Sequence, residues 1–138
     1  MNNTRICARG ILVQDDKVYL IKENTRQNVD CWFIPGGGIE SGETISEGLQ
    51  RELSEELGVD KTNISIDTSL LGSYTFELKN GQTNVNLAFE VNFPIPSDIN
   101  KQGEDKIIRQ KLVDKSAIST YIADSIQDEF MQTIYPHL

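Results

Sequence analysis

Histidine and cysteine are almost missing from this chain. One histidine, His137, and two cysteines, Cys7 and Cys31, are spread over 138 residues. With no Cys-x-x-Cys pair and the one His beside the C-terminal end, a zinc site of His and Cys ligands is excluded. Two thiols would make one disulfide, which a domain of this length does not need. Cations are scarce as well: 13 Lys and Arg stand against 21 Asp and Glu, a net charge of −8. That balance argues against a nucleic-acid duplex as partner, because phosphate neutralisation takes clustered Lys and Arg. It leaves room for a small phosphate ligand, since a bound divalent cation reverses the local field. No apolar run approaches the length that spans a bilayer. The segment MNNTRICARGILV has neither an apolar core nor a cleavage pattern. The expectation is a reduced, cytoplasmic protein that does not associate with membranes.

What is present is an ordinary globular composition, 38% hydrophobic and 25% charged, which fits one domain over residues 1–138 with a real core. No repeat or low-complexity segment interrupts it. Residues 4–14 and the apolar positions around Val18 and Leu20 predict a hairpin over 4–23, turning at Asp15-Asp16. Residues 24–31 read as a loop. Trp32-Phe33-Ile34 reads as a short strand stopped by Pro35 and three glycines. A helix is predicted from Thr44 to Leu57 with Gly58 as its C-cap. Residues 63–78 are strand-like, and Asn80-Gly81 marks a hairpin turn. TNVNLAFEVNF alternates, with Val85, Leu87, Phe89, Val91 and Phe93 on one face and Asn84, Asn86, Glu90 and Asn92 on the other. Residues 94–106 read as a polar loop and 107–113 as a strand. Ile118, Ile122, Ile126, Phe130 and Ile134 recur at steps of four, predicting one amphipathic helix. The order of elements implies an α/β fold, a mixed sheet sandwiched between helices.

The stretch RELSEELG poses the chemical question. Glu52, Glu55 and Glu56 lie within an arc of about 100° beside the apolar stripe Ile45, Leu49, Leu53 and Leu57. Each like-charge pair at such spacing costs about 0.2–0.5 kcal/mol. A solvated face tolerates that cost. A half-buried edge does not, unless the carboxylates are paired or hold a hard cation such as Mg²⁺ or Mn²⁺. Upstream, Gly36, Gly37 and Gly38 offer a backbone that a ligand can approach, although a plain turn is the simpler use of such a run.

With these residues in hand, GGGIESGETISEGLQRELSEELGV resembles the Nudix box of the MutT-like hydrolases, Gly-x5-Glu-x7-Arg-Glu-U-x-Glu-Glu-x-Gly-U with U aliphatic. The slots are filled by Gly37, Glu43, Arg51, Glu52, Leu53, Glu55, Glu56, Gly58 and Val59. The slots that demand one residue type make a chance match on the order of 10⁻⁸ to 10⁻⁹ per starting position. Gly48 departs from many members, which carry Ala there, and costs the helix about 1 kcal/mol.

The resemblance implies a hydrolase that cleaves the pyrophosphate linkage of a nucleoside diphosphate derivative with Mg²⁺ or Mn²⁺ as cofactor. It implies Glu55 and Glu56 as metal ligands, and Glu52 as a further ligand or as the base that takes the proton of water. It further implies a carbonyl ligand from Gly36, and Arg51 as the residue that orients Glu52 and Glu43. Some members use an acid outside the box. Glu104 in the loop QGED is the first candidate, followed by Asp105 and Glu90; the competing role of each is solvation. Gly37, Gly38 and Glu43, with Lys22 and Arg26, are candidates for the phosphate side of the substrate. Trp32, Tyr74 and Phe76 are candidates to stack on a base, with core packing as the competing role. Asn84 and Asn86 are candidates to read its edge. A nucleoside triphosphate is the working expectation, and nucleotide sugars belong to the same substrate range. Homodimers are common among such proteins. Three alternatives compete: a nucleotide-sensing Nudix module that has lost turnover, an isoprenoid diphosphate isomerase, and a Ca²⁺-binding acidic face. The isomerase branch needs a His-containing metal site, and the Ca²⁺ reading lacks an EF-hand loop.

Overall fold

The computed structural model describes residues 3–23, 32–78, 80–97 and 108–138, with only the backbone described at Glu23 and Ile108. Strand β1 (Thr4–Ile11) runs parallel to β6 (Thr83–Asn92) at the centre of a four-stranded sheet. The glycines form an edge strand, β4 (Gly36–Gly38), on the far side of β1, and β5 (Ser65–Glu77) closes the other edge. A second sheet holds β2 (Val13–Gln14), β3 (Lys17–Glu23) and β7 (Ile108–Asp114).

The predicted hairpin over 4–23 is therefore only partly present. The chain turns at Asp15-Asp16, where both residues have positive φ (53° and 63°), as a primed two-residue turn requires. That turn joins β2 to β3. The first strand belongs to the other sheet, paired with β6, where Cys7, Ala8 and Ile11 are buried and Ile6 is exposed. Phe33 makes a single bridge to Ile21 in place of the expected short strand. The strand of this region is the glycine run itself. Its backbone comes close to β1: a side chain on Gly36, which has φ 146°, would strike the carbonyl of Ala8.

Both faces of the central sheet are covered. On one face lies α1 (Ile45–Leu57), whose Leu49, Leu53 and Leu57 share a core with Ala8, Leu12, Tyr19, Ile21, Phe89 and Val91. The other face carries the C-terminal segment, with Ile118, Ile122, Ile126, Phe130 and Ile134 packed with Ile11, Val18, Leu20, Tyr74 and Ala88. Two-sided burial explains why β3 alternates between cores rather than between core and water. It also corrects the polar face assigned to the sixth strand: Asn86 is buried there, while Glu90 and Asn92 are exposed.

The tail is not one helix. It comprises a 3₁₀ stretch at Lys115–Thr120, the short helix α2 (Asp124–Glu129) and a π-helical turn at Phe130–Ile134. A step of four is wider than the α-helical 3.6, and the backbone meets it by breaking and then widening its turn. Side chains fasten this tail to the edge strand. Thr133 Oγ1 accepts from Ser73 N–H and donates to Ser73 O, and Glu129 Oε1 accepts from Thr75 N–H and Oγ1–H. Gly72 leaves the space that the Thr133 backbone occupies.

Phe130 is fully buried and edge-on to Tyr74. Phe130→Ala is expected to cost about 3–5 kcal/mol, read as a lower denaturant midpoint with an unchanged slope. A loss below about 1 kcal/mol would show that the tail does not hold this core.

Candidate active site

Helix α1 is set at both ends by its sequence. Thr44 Oγ1 accepts from Glu47 N–H while the Glu47 carboxylate accepts from Thr44 N–H, a reciprocal cap. Gly58 ends the helix with φ 74°. With Leu49, Leu53 and Leu57 facing the core, the flank bearing Arg51, Glu52, Glu55 and Glu56 is turned toward the glycine strand.

Arg51 is the hub of that flank. Its Nε donates to Glu43 Oε2 at 2.6 Å and its Nη2 to Glu43 Oε1 at 3.1 Å, a bidentate pair. Nη1 donates to Glu52 Oε1 at 3.1 Å and Glu55 Oε1 at 3.3 Å, and Nη2 also reaches the Gly38 carbonyl at 3.1 Å. Glu40 Oε1 stands 3.6 Å from Nη1. The side chains of Arg51, Glu43 and Glu52 are 17%, 17% and 18% exposed and that of Glu55 is 61% exposed. The Glu43 and Glu52 contacts are therefore the ones partly shielded from water, and the Glu55 contact is a surface pair.

The Arg51 hydrogen bonds, followed by the Glu40 N–H, hold the Glu43 carboxyl down at about 2. The same carboxylates push Arg51 further above its usual range, Glu43 first. Gly48, costly to a helix, has a use here: a side chain on it would press on Ile39 and on the Glu43 carboxylate.

The other two glutamates meet the glycine strand. Glu56 Oε1 accepts from Gly36 N–H at 3.0 Å. The Glu52 carboxylate lies against the α-carbon of Gly37, where any side chain would collide with it. The structure thus brings together Gly36, Gly37, Gly38, Glu43, Arg51, Glu52, Glu55 and Glu56.

Other candidates lie elsewhere. Tyr74 is 5% exposed inside the second core, where burial raises its hydroxyl pKa, so the role expected of it at the substrate is corrected to packing. Lys22 sits 6.0 Å from the centroid of the Trp32 ring, which is edge-on to Tyr121. Glu90 is exposed on β6. Arg26, Cys31, Glu104 and Asp105 lie outside the described residues.

Two groups at the site escaped the sequence reading. Arg9 donates from Nε to Asn86 Oδ1 at 2.8 Å and from Nη1 to the carbonyls of Ile34 and Gly36, each at 3.2 Å. A charged residue inside an apolar strand was the available signal. Tyr19 donates to Gln110 Oε1 at 2.7 Å, and Gln110 in turn donates to Pro96 O at 2.6 Å. Burial first, and then the charge of Glu56, raise the Tyr19 hydroxyl pKa, so it remains a donor.

Carboxylate oxygens and a backbone carbonyl are the donors a hard divalent ion takes. In donor chemistry Glu52, Glu55, Glu56 and Gly36 therefore fit such an ion. Among the described residues no three acidic, His or Cys side chains are gathered closely enough to enclose one. Glu52 and Glu55 are each held by Arg51 through Oε1, and Glu56 accepts from Gly36 N–H through its own Oε1.

The Glu43–Arg51 pair has a pH signature. A depressed carboxyl stabilises the fold above its ordinary pKa of 4.5, and that stability is lost as pH falls toward about 2. Glu43→Gln is expected to be less stable than the wild type at pH 7, with the gap closing between those two values. Denaturation midpoints measured across that range check this, and a gap independent of pH would refute it.

A family model described as NUDIX domain matches residues 4–133. The ADP-ribose pyrophosphatase of Methanocaldococcus jannaschii is 39% identical over 70 residues, 51% of this chain and 39% of that protein. The 8-oxo-dGTP diphosphatase of Buchnera aphidicola is 39% identical over 51 residues, 36% of this chain and 39% of that protein. The match thus spans well under half the length of these curated relatives. The crystal structure of the MutT protein from Methanosarcina mazei superposes with a TM-score of 0.75 at 21% identity, covering 96% of this chain and 94% of that one. With a family model matched along nearly its whole length, and with the box residues gathered at one site, this chain belongs to the NUDIX domain family.

Proposed function

We propose that this chain is a metal-dependent pyrophosphohydrolase that cleaves a nucleoside diphosphate derivative by attack of water on phosphorus. The observation that carries the reading is the single flank of α1 on which Arg51, Glu52, Glu55 and Glu56 face the glycine strand. Curated relatives that act on ADP-ribose and on 8-oxo-dGTP support the reaction class, and Mg²⁺ or Mn²⁺ is the ion proposed.

Glu52, Glu55, Glu56 and the Gly36 carbonyl would hold the ion. When bound, it supplies neutralisation of phosphate charge and a lowered pKa for water. The protein's own groups do the rest. Arg51 keeps Glu52 in place by one hydrogen bond and is itself locked by the bidentate pair with Glu43. Gly37 allows the Glu52 carboxylate to lie against the strand, where a substrate phosphate can come within its reach. Glu52 and Glu104 are the two proposed acceptors of the water proton. Tyr19 stays protonated, its hydroxyl pKa raised by burial and by the charge of Glu56.

The alternative is a nucleotide-sensing module without turnover. It draws on the pairing of Glu52 and Glu55 with Arg51 instead of with each other around a common point.

The test is release of phosphate or nucleotide from nucleoside triphosphates, nucleotide sugars, ADP-ribose and dinucleoside polyphosphates, with Mg²⁺, with Mn²⁺ and with chelator. Turnover is expected only with metal, and Glu56→Gln is expected to reduce it by several orders of magnitude with the fold intact. Full activity in both Glu55→Gln and Glu56→Gln would refute the ligand assignment. Binding without turnover across the panel would favour the sensing module. Glu104→Gln tests the second acceptor: it costs about 10²-fold or more in kcat and removes the acidic limb of the pH profile if Glu104 takes the proton, and changes neither if Glu104 is a solvated loop acid.

A further inference from the structure

Arg9 interrupts an otherwise apolar stretch of β1. It is half-buried between Ala8 and Gly10, both buried, and pairs with Gly36 on one side and Ala88 on the other. A guanidinium shielded from water is costly unless acceptors surround it. Here three of its acceptors are neutral oxygens. Nε donates to Asn86 Oδ1 at 2.8 Å, and Nη1 donates to the carbonyls of Ile34 and Gly36, each at 3.2 Å. Between those two, the Pro35 carbonyl accepts from Gly10 N–H at 2.9 Å. Three successive carbonyls at the entry to the glycine strand are thus held from β1, two of them by one side chain.

The fork is itself braced. Asn86 is 1% exposed, and its amide donates to the carbonyls of Tyr74 and Asn84, each at 3.3 Å. With Oδ1 taken by Arg9, both ends of that amide are engaged, and a buried polar network satisfied in this way is rigid. Asn86 in β6 is a fixed post from which Arg9 reaches to β4. The network meets the carboxylate flank at Gly36. That residue has φ 146° and the conformational freedom of glycine, so its direction has to be imposed by its partners. Glu56 Oε1 accepts from its N–H at 3.0 Å, and Arg9 donates to its carbonyl. Two residues on, Arg51 donates to the Gly38 carbonyl in the same manner. A carbonyl oxygen carries two lone pairs, so the bond from Arg9 leaves one at Gly36 for a second partner.

We infer that Arg9, braced by Asn86, is a positioning residue for the proposed metal site: it fixes the direction of the Gly36 carbonyl. The inference rests on the hydrolase reading for the presence of the ion. In this role Arg9 touches neither substrate nor ion and acts through Gly36 alone. Loss of such a partner behind a ligand lowers metal affinity about 10- to 100-fold. The charge of Arg9 works in the opposite direction, because two cations repel. What the site gains from Arg9 is therefore the geometry of its fork, and a lysine in its place would keep the repulsion and lose the gain.

Mn²⁺ binding followed by electron paramagnetic resonance, with no substrate present, tests this. The wild type is expected to bind Mn²⁺, and Arg9→Lys to bind it about 10-fold or more weakly. Asn86→Ser, which leaves Arg9 in place without its brace, is expected to weaken binding as well. Affinities are compared well below each variant's thermal midpoint, so a merely structural role for Arg9 would leave them unchanged. Wild-type affinity in either folded variant overturns the proposal. Should neither variant fold, the wild type decides: the Gly36 carbonyl and Arg9 Nε nuclear magnetic resonances are expected to move when Mg²⁺ is added, and resonances that stay in place while Mg²⁺ binds overturn it. The two readings fail separately. Metal-dependent hydrolysis with an Arg9→Lys variant of wild-type Mn²⁺ affinity removes this proposal alone. Mn²⁺ binding weakened in Arg9→Lys, in a chain that hydrolyses no substrate, removes the hydrolase reading alone. A wild type that binds no Mn²⁺ removes both.

Discussion

Everything at the site depends on one guanidinium. Arg51 touches the loop before α1 through Glu43, the glycine strand through the Gly38 carbonyl, and its own helix through Glu52 and Glu55. A lysine would bring one rotatable point charge to this place. The fixed fork of arginine matches two carboxylates and a carbonyl at the same time. Its partners Glu43 and Glu52 are largely screened from water, so an unpaired carboxylate there would carry a desolvation cost with nothing to offset it. One guanidinium nevertheless meets four carboxylates, those of Glu40, Glu43, Glu52 and Glu55. A single positive charge does not balance four carboxylates, and on the proposed function a divalent cation would supply the rest and in turn attract a polyphosphate.

The three glycines are the second constraint, and they act through what they omit. Each faces a different neighbour: the Ala8 carbonyl at Gly36, the Glu52 carboxylate at Gly37 and the Arg5 guanidinium at Gly38. A loop that wraps phosphate would have used glycine for backbone freedom. Here the run is a strand in register with β1, and only Gly36 has a backbone angle that other residues resist. Its flanks are bare so that charged side chains from the helix on one face and from β1 on the other can reach the backbone. The strand is therefore a thin partition between an acidic face and a basic one.

How far these features could be read beforehand follows from where their causes lie. The helix from Thr44 to Gly58 was legible because its cap, its apolar stripe and its αL terminator are all local. The box residues were legible because a fixed spacing on one helix fixes a geometry. The first hairpin was misread because the choice of partner for residues 4–11 is made by β6, about eighty positions away, and no local pattern records a parallel pairing. Asn86 was placed on a polar face for the same reason: alternation shows two faces, and only the packed tail shows that both are covered. The tail's apolar positions were read correctly, but their step of four concealed a broken helix. Tyr74 and Trp32 look alike as aromatic residues beside polar ones, and only the fold places Tyr74 in the core beneath Phe130.

The partition also bears on why the substrate resists a reading from the box. Relatives of this chain are named for ADP-ribose and for 8-oxo-dGTP, so membership of the family does not choose between them. Choice requires polar groups whose pairing differs from one ligand to another, because a site built to exchange hydrogen bonds rejects an analogue that leaves them unmet. On the other side of β4 stand different polar groups: Asn84 Oδ1 on β6, buried and without a partner among the described residues, and Arg5 on β1, against the α-carbon of Gly38. They belong to strands that the box does not include.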